Sequence, residues 1–371
     1  MTELFDSSVY ARRISQAALA AASAGLSGLV IGTGPELAYL TGSWISSHER
    51  LTALVIPAAA QPVIVAPAVD RSDLAHSALP ELDVDLSGWV DGDDPHQLVV
   101  DALGEDGPVA LGSSLTADHV LKIQEKLGER KTVLATSALK ELFMRKDADE
   151  IEQLRLAGRA IDAVHAEVPG LLRAGRTEAE VAADLEKLIL AEHDVVDFII
   201  VGSGPNGADP HHSFSDRELN EHEPVVIDIG GTYGVGYHSD CTRTYVVGGT
   251  EGVAEEFTGL YQVLFDAQEA ACAAVRPGVT AESIDQIARD HIAAAGYGEY
   301  YIHRTGHGIG LSTHEEPFIM AGNDLVLEEG MAFSVEPGIY LPGKFGARIE
   351  DILTVTAEGA EYLTRQPRVL Q

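Results

Sequence analysis

Four carboxylates stand in strand-like sequence where apolar residues would be expected: Asp228 in VVIDIG, Asp240 in YHSDCT, Glu336 in FSVEPG and Glu350 in RIEDIL. A buried charge without a partner carries a large desolvation penalty, so such carboxylates call for a cation. Hard divalent cations favour oxygen ligands, and a neutral imidazole is a good additional ligand for Zn, Mn, Co or Fe. His307, in the run HRTGHGIGLSTHE, supplies one. Taken singly, each residue has an ordinary reading, the aspartates as turn formers and the histidine as a satisfied core group. Together they point to a metal centre.

Histidines concentrate near these carboxylates. His303, His307 and His314 share one Gly-rich segment, and His211 and His212 follow a proline in GSGPNGADPHH. Glycines beside a histidine let backbone and substrate approach closely. The zinc-protease helix motif H-E-x-x-H is missing, and the segment around His307 reads as strand and loop. Gly202-x-Gly204-x-x-Gly207 follows an apolar strand, but ADPHHSFSD after it reads as loop where a dinucleotide site needs a helix. A G-x-S-x-G elbow is missing, and Cys241 and Cys272 lack an activating context.

The elements that must position these residues are duplicated. LLRAGRTEAEVAADLEKLIL around Arg173 is echoed by AAVRPGVTAESIDQIARDHI around Arg276, each a helix end, a Gly turn and a Thr that can cap the next helix. Thr177 with Glu180 forms a capping-box pattern; Thr280 has Ser283 in place of the glutamate. Each half then ends in a predicted hairpin, VVIDIGGTYGVGYHSDCTRTYVV and MAFSVEPGIYLPGKFGARIEDILTV, each carrying two carboxylates across its turn. Duplication would place four carboxylates around one pseudo-two-fold axis.

Ahead of this region, GLVIG near residue 30, LTALVIP at 51–57, PVIVAP at 62–67 and VALG at 109–112 alternate with turns and with a helical pattern over Thr116–Gly128. With 371 residues, two domains are expected: an α/β domain over 1–140 and a catalytic domain over 141–371, its first long helix beginning near Asp147. A composition of 45% hydrophobic and 22% charged residues is that of a globular chain. The net charge of −33 disfavours nucleic acid and anionic lipid as partners. Two cysteines point to a reducing, cytoplasmic setting. The apolar stretch after Arg12-Arg13 reads as a helix and not as a signal segment, and apolar runs fall short of a membrane span.

In their order, GPNGADPH, DIGGTYGVGYHSDCTRT, TGHGIGL, HEEP, VEPGIY and RIED, preceded by YLTG and ERLTALVIP, make the chain resemble the creatinase/prolidase/aminopeptidase P metallopeptidases. The resemblance implies a pita-bread catalytic domain of α+β type with internal pseudo-two-fold duplication. It implies two divalent cations, Mn ahead of Co or Zn, with Asp228 on one, His307 and Glu336 on the other, and Asp240 and Glu350 bridging. Glu336 would act as general base, His211 and His314 would face the substrate and the developing oxyanion, and Arg348 and His303 would lie on the substrate side. For Arg348, a substrate carboxylate clamp competes with a buried ion pair to Asp351 or to a metal-ligand carboxylate. The implied activity is Xaa-Pro hydrolysis, in dipeptides first; aminopeptidase P action on longer peptides, small-amide hydrolysis and a non-catalytic binding module are the alternatives. A homodimer is implied as well. The Asp228–Asp240 spacing of 240 − 228 = 12 is one residue longer than in most such proteins, which predicts a bulge or a longer loop in GGTYGVGY.

Overall fold

The computed structural model describes residues 4–46, 49–104 and 106–371. The chain divides into two compact units, Met1–Phe143 and Met144–Gln371.

The first unit holds strands β1 (Gly28–Gly32), β2 (Ala53–Pro57), β3 (Val63–Pro67), β4 (Asp85–Trp89), β5 (Val109–Leu111) and β6 (Thr132–Leu134) in one sheet of order β4-β3-β2-β1-β5-β6. β2 pairs antiparallel with β1 and β3, while the outer pairings are parallel. Helices α1 (Ser7–Ser23), α2 (Pro35–Thr41), α3 (Arg71–Leu74), α4 (Pro95–Ala102) and α5 (Ala117–Leu127) accompany the sheet, and α6 (Thr136–Met144) follows. Val30, Val55, Val65, Val109, Leu111 and Ile123 pack into one core. β4 escaped the sequence reading because DLSGW is largely exposed and carries no apolar alternation.

The second unit repeats helix, helix and strands twice. Its first half is α7 (Ala148–Leu171), α8 (Glu178–Glu192), β7 (Val195–Ser203), β8 (Pro224–Tyr233), β9 (Tyr237–His238) and β10 (Cys241–Val246). Its second half is α9 (Glu255–Ala274), α10 (Ala281–Ala294), β11 (Gly306–Gly308), β12 (Glu315–Ile319), β13 (Ala332–Val335), β14 (Gly338–Leu341), β15 (Phe345–Arg348), β16 (Asp351–Thr356) and β17 (Gly359–Tyr362). The duplication reaches single hydrogen bonds. Gly175 N donates to Leu219 O as Gly278 N donates to Leu327 O, and Thr177 bridges Glu218 as Thr280 bridges Val326. α8 begins with a complete capping box between Thr177 and Glu180; Thr280, read from the sequence as a cap for α10, makes no side-chain cap, and Ser283 accounts only for the missing reciprocal bond.

The second predicted hairpin is in fact two nested pairs. β13 pairs with β16 in the larger sheet, and β14–β15 forms a separate two-stranded hairpin between them. Pro337, which has no N–H to donate, stands at the point where β13 gives way to β14.

Candidate metal centre

Strand alternation sets the site. Val225, Ile227 and Ile229 of β8, with Cys241 and Tyr245 of β10, pack into the core of the first half. Their neighbours Asp228, Asp240 and Thr242 therefore face the other way. In the second half Phe333, Val335, Ala347, Ile349 and Leu353 pack inward, which turns Ser334, Glu336, Arg348 and Glu350 to the opposite face. One alternation rule thus aims four carboxylates into one cleft.

The ladder resolves the long Asp228–Asp240 spacing. Asp228 lies opposite Thr242, Ile229 opposite Cys241 and Thr232 opposite His238, so β8 keeps one register with β9 and β10. The added length stays in the turn Gly234-Val235-Gly236, whose glycines have φ of 58° and 111°. Asp240 keeps the face of Thr242, diagonal to Asp228. The one register shift affecting β8 lies on its other side, between Val196 and Phe198 of β7.

His307 Nε2 lies 3.2 Å from Glu336 Oε1 and 3.6 Å from Asp240 Oδ2. Donor atoms of Asp240, His307 and Glu350 all fall within 4.8 Å of one another. The His307 ring is oriented by its Nδ1, 3.1 Å from Gly308 O. The glycines flanking it are required by close approach: a Cβ on Gly306 would fall 1.8 Å from Ser334 O, and one on Gly308 would fall 2.2 Å from Glu316 O.

Electrostatics shows that the cluster is incomplete without a cation. Burial, then the charges of Glu350, Asp228 and Glu336, pushes the Asp240 carboxyl well up from its ordinary value. Glu350 is pushed well up by burial, Glu336 and Asp228, and Asp228 is raised by burial against the opposing charge of Arg348. For Glu336 burial is outweighed by the hydrogen bond and charge of His307, which bring its pKa to about 2. Asp228 Oδ1 and Glu350 Oε1 are buried with no hydrogen-bond partner among the described residues. Two orphaned anionic oxygens beside an imidazole fit a divalent-cation site.

Arg348 is buried and bound. Its Nη2 donates to Asp228 Oδ2 at 2.6 Å, its Nε to Thr242 Oγ1 at 3.1 Å, and its Nη1 to Tyr340 Oη at 2.8 Å and Pro210 O at 3.4 Å. This is the second of the two readings of Arg348, the ion pair to a ligand carboxylate. His303 stands behind the same group: Tyr340 Oη bridges Arg348 and His303 Nε2, the latter at 2.9 Å. His314 is exposed to the cleft and meets the His307 ring edge to face at 4.2 Å between centroids. Desolvation, with the charges of His307 and Arg304 adding to it, takes the His314 pKa down to about 4.

His211 is exposed on the loop after β7 and also lines the cleft. That loop is held by buried Glu178, which accepts from Ser203, Asn206, Ser215 and His212. A cavity of about 720 Å³ collects all nine predicted residues, with Phe198, Ile199 and Ile200 on its apolar side. Thr242, Tyr340, Ser334 and Glu178 were missed by sequence reasoning. Thr242 was within its reach, since it stands two residues from Asp240 on the same face.

Residues 152–357, more than half of the chain, match metallopeptidase family M24, and residues 13–144 match the creatinase/prolidase N-terminal domain. The chain belongs to metallopeptidase family M24. The probable dipeptidase PepE of Mycobacterium tuberculosis is 56% identical over 370 residues, spanning 99% of this chain and 97% of that protein. The Xaa-Pro dipeptidase of Lactobacillus helveticus is 37% identical over 344 residues, spanning 90% and 92%. The crystal structure of dipeptidase PepE from Mycobacterium ulcerans superposes with a TM-score of 0.96 at 53% identity, covering 100% of this chain and 99% of that one. The chain thus has a creatinase-type α/β N-terminal domain followed by an α+β pita-bread catalytic domain, and membership of the family implies a divalent metal. Among the described residues, no helix is long and apolar enough to cross a membrane.

Proposed function

We propose that this M24 metallopeptidase is an exopeptidase that uses two divalent cations to hydrolyse the Xaa-Pro bond, in dipeptides before longer peptides. One observation carries the reading: five potential ligands, Asp228, Asp240, His307, Glu336 and Glu350, line one cleft, and two of their buried oxygens are orphaned. The likeness to an Xaa-Pro dipeptidase over nine-tenths of the chain supports the substrate class. Bound by these five residues, divalent cations supply Lewis-acid polarisation and a nucleophile at neutral pH, with Mn the first candidate and Co or Zn the others.

The chain's own residues do the rest. Glu336, with Ser334 Oγ donating to Oε1 at 3.1 Å, is ionised at neutral pH and is the group proposed to take a proton and pass it to the leaving nitrogen. His314 is neutral at pH 7 and can donate an N–H to a developing oxyanion without first losing a charge. His211, on the loop anchored by Glu178, lines the same cleft. Arg348 holds Asp228 in place with Tyr340 and His303 behind it. Proline's tertiary amide lacks an N–H and fixes φ, so its cleavage calls for a site that does not rely on an extended chain's hydrogen bonds.

Metal-stripped protein supplied separately with Mn, Co or Zn should hydrolyse Ala-Pro faster than Ala-Pro-Ala, and both faster than Ala-Leu. Asp240→Asn and Glu350→Gln should lose turnover together with bound metal by elemental analysis. Unchanged metal content in both variants would remove the two-cation assignment. The name dipeptidase on the mycobacterial relative favours one second reading, a dipeptidase indifferent to proline, which the Ala-Leu arm detects. The proposed setting is a homodimer in the cytoplasm; a monomer by light scattering during full activity would end the dimer proposal.

A further inference from the structure

His314 depends on its backbone for its place. Among the described residues its ring makes no hydrogen bond, and its one ring contact is with His307. An imidazole that must present an N–H to a fixed point is only as well placed as the loop that carries it. That loop, residues 309–314, joins β11 to β12. At its near end His238 N donates to Gly310 O at 3.0 Å, and His238 Nε2 lies 3.3 Å from Leu311 O. At its far end Lys146 and Glu315 form an ion pair. Between these anchors stand Thr313 and His314, both lining the cleft.

The ring of His238 is fixed in turn by Asp197. Its Nδ1 lies 2.6 Å from Asp197 Oδ2, and Thr232, which faces His238 across the β8–β9 ladder, donates from Oγ1 to Asp197 Oδ1 at 2.7 Å. Both carboxylate oxygens are thereby engaged. The side chains of His238 and Asp197 are only 14% and 13% exposed, so solvent competes little for their contact. Asp197 reaches this position through a local irregularity. Val196 lies opposite Gly231 and Phe198 opposite Gly230, which makes Asp197 the extra residue of a bulge in β7. A bulge bends its strand and re-aims the side chain it carries.

We propose that Asp197 and His238 are positioning residues that set the His314 imidazole for its work in the cleft. The inference rests on the peptidase reading above, in which His314 faces the developing oxyanion, and deepens it by naming what holds that histidine. The chain of contacts runs from the β7 bulge through the Asp197 carboxylate and the His238 ring to the Leu311 carbonyl, three residues ahead of His314. A carboxylate on one ring nitrogen fixes the imidazole's orientation, and the other nitrogen then has a single direction in which to hold the loop. An oxyanion donor acts over one hydrogen-bond length, so a loop displaced by about 1 Å lowers the rate by up to about a hundredfold.

The test measures kcat, KM and metal content for the wild type, Asp197→Asn, Asp197→Ala, His238→Ala and the Asp197→Ala/His238→Ala double variant, each also in a His314→Ala background. Ala-Pro and Ala-Leu are both supplied, and whichever the wild type prefers serves the comparison. Amide hydrogen exchange is followed across residues 309–315. Asp197→Ala should lower kcat by roughly ten- to a hundredfold with KM and bound metal little changed, and should speed exchange in that segment. Asp197→Asn, which keeps the shape and one acceptor oxygen, should lose less. The double variant should lose no more than the larger single loss, and in the His314→Ala background these changes should leave kcat nearly where it stands. An Asp197→Ala loss that persists in full without His314 overturns the proposal, since the carboxylate then acts on the substrate or the cations directly. So does a loss that follows the bound metal, a His314→Ala variant with wild-type kcat, or exchange at the wild-type rate. If the wild type cleaves neither dipeptide, the peptidase reading falls, and the exchange measurement alone decides whether Asp197 holds the loop.

Discussion

The acid cluster shows how a single hydroxyl can govern a metal centre. Thr242 Oγ1 donates to Glu350 Oε2 at 2.8 Å and accepts from Arg348 Nε, so one buried atom orients both a candidate ligand and the arginine that holds another. Thr242→Val keeps the shape and removes both bonds. Metal affinity, titrated against a competing chelator, should fall by roughly ten- to a hundredfold, and Thr242→Ser should keep most of it. Wild-type affinity in the valine variant would show that Glu350 needs no such support. At this scale the carboxylates and His307 were legible, because charge in apolar strand sequence is a strong signal. Tyr340 was not, since its hold on Arg348 depends on the nesting of β14–β15 and leaves no mark on the sequence around it.

Among the elements, the two halves of the catalytic unit offer a controlled comparison. Thr177 and Thr280 occupy equivalent positions at the starts of α8 and α10, yet only Thr177 receives a backbone N–H and is answered by a glutamate. Thr177→Ala should therefore cost about 1 kcal/mol in urea unfolding, and Thr280→Ala less than about 0.5 kcal/mol. Equal losses would show that the cap bond in α8 carries no weight. The box, the long helix after Asp147 and β1 through β3 and β5 could be read from local patterns. The nested pairing of β13–β16 around β14–β15 could not, because a run of apolar residues with several glycines does not say which strand crosses to which sheet. Nor did spacing alone say where the extra residue after Asp228 would go; the unbroken register from Ile229–Cys241 to Thr232–His238 places it in the turn, where it leaves both aspartates on the cleft face.

For the molecule as a whole, the site is a liability to the fold until a cation is supplied, and pH measures that liability. A free carboxyl titrates near pH 4 when unfolded. In the metal-free fold Asp228, Asp240 and Glu350 are held above that by burial and mutual repulsion, so between about pH 4 and their raised values the folded state binds more protons than the unfolded one. Their contribution to stability is therefore present at low pH and lost as pH rises through the raised values, by at most about 1.4 kcal/mol per pH unit per group. Glu336, at about 2, has the opposite sign, but its window closes near pH 4 and leaves the range above untouched. Bound cations neutralise the repulsion, and the loaded protein is spared the loss. The Tm gap between loaded and chelated protein should accordingly widen from pH 5 to pH 8. The surface charge of −33 adds its own pH and salt dependence, but it is common to both samples and drops out of the gap at fixed ionic strength. A gap that stays constant or narrows toward pH 8 would mean that these carboxylates do not depend on a cation for their place in the fold.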